Sequence, residues 1–341
     1  MLVKPAMAGG APLNTRMLLR ATGALLIVAG LSLGALGCAV GSDAAPDATT
    51  TPTATATATA TPSPTPDPDP LVLADVSQPL DGLRQRLEQE ITAFQQRVGG
   101  NFAVAVTDLQ TGETVHVNGE SLRIPGCTLN FFVLLQTVRD LEAGRYPEPA
   151  AGDLIARTVY YSNPATAHYL LRQSGGGDSL AGLWKVNDLL RNTLKLRTAV
   201  YDHPPANDTA TLKPGEWQEN TISPLDFNRA LTMLYRGQVV SPAWTGYLID
   251  KMSSVSPGLN HLIQAGVADP TAIVAHKNGY IDYIPYYVDN DIGLVIFNRG
   301  GKQYAYAITF WSQDNPWVLS DAPLGQTVSR LAWEHFSATY Q

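Results

Sequence analysis

The chain has 341 residues, is 45% hydrophobic and 16% charged, and carries a formal net charge of -7. It has no Lys/Arg-rich run, which excludes the basic footprint of a nucleic-acid binder. Its two cysteines are too few for a disulfide framework or a thiolate metal site, and its six histidines form no pair at ligand spacing, so neither a metal nor a cofactor is expected.

The chain opens with an export segment. Lys4, Arg16 and Arg20 precede an uncharged apolar run over 21–37 that ends in small residues. The ending Ala35-Leu36-Gly37-Cys38 resembles the lipobox of bacterial lipoproteins, in which the cysteine is acylated and becomes the new N-terminus. Residues 1–38 are therefore expected to be a lipoprotein signal, with Cys38 as the lipidation site and a lipid anchor to a membrane. A plain cleaved signal or an uncleaved anchor would also put the remainder outside the cytoplasm. Residues 39–76 are dominated by Ala, Thr, Pro, Ser and Asp and hold too few large apolar side chains to fold. Over 41–70 proline stiffens this linker to about 3 Å per residue, a reach of up to roughly 90 Å. It reads as a stalk, or as an untethered tail if Cys38 carries no lipid.

Residues 77–341, roughly 265 of them, are enough for one large domain. Leu80, Leu83, Leu87, Ile91, Phe94 and Val98 form one stripe of a helix over 78–98, stopped by Gly99-Gly100. Alternation at Phe102, Val104 and Val106 predicts a strand over 101–109, and Gln110-Thr111-Gly112 turns it into a second strand over 113–117. A broadly apolar helix is predicted over 127–144, and short helices over 153–160, 165–173 and 179–193. In the last of these Leu180, Leu183, Trp184, Leu189 and Leu190 are expected in the core. Residues 197–223 read as a long loop. Ser223-Pro224 and Ser241-Pro242 each place a cap before a helix-starting proline. Strands are predicted over 271–276, 292–298 and 304–310, the last two joined by Arg299-Gly300-Gly301-Lys302, and a helix over 322–336 closes the chain. With strands at both ends and helices between, the fold class is α+β. Both chain ends form one antiparallel sheet, flanked by terminal helices and an inserted helical subdomain.

The stretch 124–132 follows the first hairpin and opens the most apolar helix. Cys127 falls on its first turn, where unpaired N–H groups and the helix dipole favour an anion. Such a site lowers a thiol pKa and suits a nucleophile, although a small buried cysteine is an equally ordinary occupant. Asn130 lies on the same helix face.

Cys127-Thr128-Leu129-Asn130, Ser162-Asn163-Pro164 and Lys277-Asn278-Gly279 follow one another in the order of the S-x-x-K, S-D-N and K-T-G motifs. With the first hairpin at 104–112, the run 162–176, Thr221-Ile222-Ser223-Pro224 and the strand at 274–280, the chain resembles the class A β-lactamases and related penicillin-recognising D-Ala-D-Ala peptidases over about 80–336. The resemblance implies a β-lactamase/transpeptidase-like domain over 77–341 that works as a monomer on a β-lactam or peptidoglycan-peptide ligand. It places Cys127, Ser162 and Lys277 at catalytic positions. Asn130, Asn278 and Gly279 would lie against substrate, Lys277 favouring its carboxylate and Gly279 letting it approach the strand edge. Ser162 would occupy the proton-shuttling position, or cap the next helix. An alternative register pairs Tyr161-Ser162-Asn163 with a Tyr-x-Asn variant of the motif, and Asn163 and His168 would fill local polar roles in either. Asp202 lies near the place of the glutamate that activates the deacylating water, or steadies its loop.

Asn130 cannot act as a base, because an amide has no proton-accepting state near neutral pH. The expected function is a wall-associated or ligand-binding pseudoenzyme, impaired at the first motif. The alternatives are a hydrolase with Cys127 as nucleophile, and an unrelated extracellular binding domain.

Overall fold

The computed structural model describes residues 80–199, 201–202, 220–283 and 286–340. The expected signal, Cys38, the stalk and most of the long loop lie outside them. The apolar stripe from Leu80 to Phe94 is buried along α1 (Asp81–Val98), and Gly99 ends the helix at φ +91°, with its N–H bonded to the Gln95 carbonyl. β1 (Asn101–Asp108) and β2 (Thr114–Val117) form the expected hairpin.

The predicted helix over 127–144 divides. Gly126–Leu129 is a 3-10 turn that leads into α2 (Asn130–Glu142), whose buried face is almost continuous. α3 (Gly152–Tyr160), α4 (Pro164–Ser174) and α5 (Ser179–Asp188) follow, the last continued by a π-helical turn over Leu189–Thr193. Trp184, expected in the core, is instead 65% exposed, whereas Leu183, Leu189 and Leu190 are buried. α6 (Pro224–Tyr235) is capped as predicted, the Ser223 side chain accepting the Asp226 N–H. α7 (Pro242–Met252) starts at Pro242 without the expected cap bond, and Ser241 donates its N–H to Glu142 Oε1 at 2.8 Å.

After the short α8 (Ile263–Gly266), the chain forms β3 (Ile273–Tyr283), β4 (Tyr286–Arg299) and β5 (Lys302–Gln313), then α9 (Ala322–Thr339). β3 and β4 exceed the predicted strands because they run through polar residues, Lys277-Asn278 in one and Asp289-Asn290-Asp291 in the other. The sheet is antiparallel in the order β2-β1-β5-β4-β3, so both chain ends build it, as expected. One face packs on α1 and α9 through Phe102, Val104, Phe310 and Trp333. The other packs on the helical region through Phe132, Phe227 and Trp311, with ring centroids 5.0 and 5.3 Å apart. The 3-10 turn sits against β3, the edge strand of this sheet.

Candidate active site

The turn that carries Cys127 is held by bonds to the sheet, to the segment before α6 and within itself. Arg123 forms a two-bond bridge with Ile222, and the Ile124 carbonyl accepts from Asn290 Nδ2 and Gln313 Nε2, each at 2.9 Å. Thr128 Oγ1 donates to the Pro125 carbonyl at 2.6 Å. Sequence reasoning missed Asn290 and Gln313. The available signal was the polar triplet 289–291 beside an otherwise apolar strand, because buried polar groups in a sheet need partners.

A Cβ added at Gly279 would lie 2.4 Å from the Pro125 oxygen and 2.6 Å from the Thr128 nitrogen. Only glycine fits there. The sequence reading assigned this space to a ligand; the Cys127 turn fills it instead. Gly126, at φ +56°, meets Gly279 from the other side.

Ser162 joins α3 to α4. It is 7% exposed and adopts φ +52°, a left-handed value uncommon for a side chain other than glycine. It is not the helix cap. Asn163 is, with Oδ1 accepting the Ala165 and Thr166 N–H groups at 2.9 and 3.2 Å. His168 bonds Ser179 at 2.8 Å and so links α4 to α5.

Lys277, on β3, has no exposed surface. Its Nζ donates to Ser162 Oγ and, at 2.6 Å, to the Asn278 carbonyl, which also accepts from Ser162 Oγ at 3.2 Å. Burial pulls the ammonium pKa from 10.5 down to about 7, opposed by the negative charge of Asp291. Asp291 lies behind the strand against His276, whose Nδ1 is 3.0 Å from its Oδ1.

The structure thus unites Ser162, Lys277 and the Asn278 backbone, and sets Gly279 against the turn that bears Cys127. Asn130 is buried one helical turn after Cys127. Among the described residues its Nδ2 has no hydrogen-bond partner, and neither Oδ1 nor Nδ2 of the Asn278 side chain has one. Cys127 is buried, and the other cysteine, Cys38, lies outside the described residues. Asp202 is held by its backbone N–H, which donates to Asn220 Oδ1 at 2.7 Å. The described residues contain no group of three or more His, Cys, Asp or Glu able to hold a metal ion.

Residues 147–336 match the family model described as the β-lactamase enzyme family, which is more than half of the chain. The chain belongs to the β-lactamase enzyme family. That removes the alternative of an unrelated binding domain. No curated protein matches the sequence. Among solved structures, PBP-A superposes with a TM-score of 0.62 at 20% identity, over 77% of this chain and 98% of its own. A class A β-lactamase from Bacteroides cellulosilyticus gives 0.62 at 20% identity, covering 75% and 99%. A β-lactamase from Chitinophaga pinensis gives 0.60 at 18%, covering 73% and 98%. At these identities the likeness to this β-lactamase-family chain is one of fold.

Proposed function

We propose that this β-lactamase-family protein is exported and lipid-anchored, and binds carboxylated acyl ligands such as β-lactams or cell-wall peptides without turning them over at its first motif. Asn130 carries the reading. The resemblance calls for a lysine that removes the proton from the attacking group, and a buried amide in its place has no such capacity. Lys277, in its protonated form below about pH 7, supports recognition at the motif position that favours a carboxylate. A solved variant of PBP-A is an acyl-enzyme complex with penicillin G, which supports a β-lactam as the probe. Export and the anchor rest on the apolar run 21–37 and on Cys38; the stalk would carry a monomeric domain away from the membrane.

The test uses the full chain, oxidised and reduced. Benzylpenicillin is expected to bind reversibly by calorimetry, while a chromogenic cephalosporin is hydrolysed no faster than in buffer. Hydrolysis by the reduced protein that disappears in Cys127→Ala would overturn this reading and make Cys127 a working nucleophile.

A further inference from the structure

We propose that Ser162 is itself a nucleophile, with Lys277 as its general base, and that the pair accepts small acyl groups from activated esters independently of Cys127. The proposal uses the family assignment for the fold alone and does not depend on β-lactam recognition. Geometry carries it. Lys277 Nζ and Ser162 Oγ are hydrogen-bonded to each other and each to the Asn278 carbonyl, which holds both reacting atoms in one arrangement. The hydroxyl is not consumed by helix capping, since Asn163 caps α4. The left-handed backbone at Ser162 raises this one residue out of the helical path between α3 and α4, and backbone strain of that kind persists only where surrounding structure holds it in place.

A serine needs an adjacent base to attack at neutral pH, and a lysine serves when desolvation leaves it neutral. Lys277, with its pKa pulled down to about 7, meets that condition, with Asp291 as the charge that opposes the shift. In the reaction the Ser162 oxygen forms a bond to the acyl carbon as its proton moves to neutral Nζ. The bond from carbon to the leaving oxygen then breaks, its electron pair staying on that oxygen, which takes the proton back from Nζ. The products are an ester on Ser162, the free alcohol or phenol, and a neutral Lys277; nothing is oxidised or reduced. Because Ser162 is 7% exposed, the acyl group accepted is small.

The experiment treats the full chain, as wild type and as Cys127→Ala, with p-nitrophenyl acetate. Removing Cys127 keeps acylation of its sulfur from being mistaken for the reaction. The expected result in both is a stoichiometric burst of p-nitrophenolate, an acetyl group mapped by mass spectrometry to Ser162, and a burst rate that rises with pH to a plateau with its midpoint near 7. Lys277→Gln is expected to slow the burst by about 100-fold or more and to abolish that midpoint, and Ser162→Ala to remove the burst. Because the acetyl group is mapped in chains that keep Ser162 and Lys277, the test does not require either variant to fold. No burst, or acetyl found elsewhere while Ser162 stays unmodified, overturns the proposal. Benzylpenicillin plays no part, so this failure leaves the recognition reading standing, and failed penicillin binding leaves a mapped acetyl-Ser162 standing.

Discussion

A lysine without exposed surface must be offset by its neighbours or lose its proton, and Lys277 does some of each. Its folded pKa, about 7, lies below the 10.5 of an ordinary lysine, so between these values the unfolded chain binds the extra proton. Through Lys277, stability therefore rises with pH from about 7 to 10.5 and is lowest where the folded chain must bury the charge. Lys277→Met is expected to raise the urea midpoint at pH 6 and to remove this rise between pH 7 and 10; an unchanged profile would contradict the burial argument. The two residues before α4, Ser162 and Asn163, are both capping types, and the sequence pattern favours the wrong one. The signal lay in Pro164. A residue before proline is held extended, which is what a cap requires, and Asn163 has φ -76° and ψ 116°. Asn163→Ala is expected to cost about 1 kcal/mol by chemical denaturation, whereas a loss at Ser162→Ala with none at Asn163→Ala would make Ser162 the cap after all.

At the scale of elements, hydrophobic period locates nearly every helix and strand, and polar residues inside strands cause the misses. The pattern starts β4 only at Ile292, because Asp289-Asn290-Asp291 breaks the apolar run. Those side chains reach His261, Ile124 and His276, partners remote in sequence that no local pattern reveals. Trp184 is misplaced for a related reason. A large apolar residue on a short helix fits the core pattern, yet α5 turns that position outward. The junction of β3 with the 3-10 turn is the element contact that positions the site, and Gly279 makes it possible. Gly279→Ala is expected to destabilise by about 1–3 kcal/mol, since the clash is with backbone atoms that cannot rotate away. Gly82→Ala is the control: a Cβ there meets nothing within 4 Å on an exposed helix, and a gain of about 0.5–1 kcal/mol is expected. Equal effects at both glycines would contradict the packing argument.

For the whole molecule, buried Asp321 and the partly buried His261 bonded to Asp289 set a second pH dependence. Asp321 is fully buried, and burial first, then the charge of Asp289, lifts its pKa from 3.8 to about 7. The folded chain therefore binds more protons than the unfolded chain between these values, and stability falls as pH rises through that window. Burial alone would lower His261, but its bond to Asp289 and the nearby acids raise it to about 9, so its contribution is full below 6.5 and is lost as pH climbs through 9. Asp321→Asn is expected to flatten the denaturation midpoint between pH 4 and 7 and to stabilise the protein above pH 7; a slope matching wild type would place the titration elsewhere. The sheet built from both chain ends and the order of the motifs were legible in the sequence. The Ser162–Lys277 bond was not, because its partners lie 115 residues apart and their contact depends on how β3 meets the helical region.

The proposed function requires that penicillin is still recognised while the first motif has lost its means of acylation. Fluorescent-penicillin labelling of the full chain, comparing wild type with the double variant Cys127→Ser, Asn130→Lys, tests it most directly. Wild type is expected to take no covalent label and the double variant to take one label per chain at residue 127. Covalent labelling of wild type to the same extent, or a folded double variant that stays unlabelled, would contradict the claim.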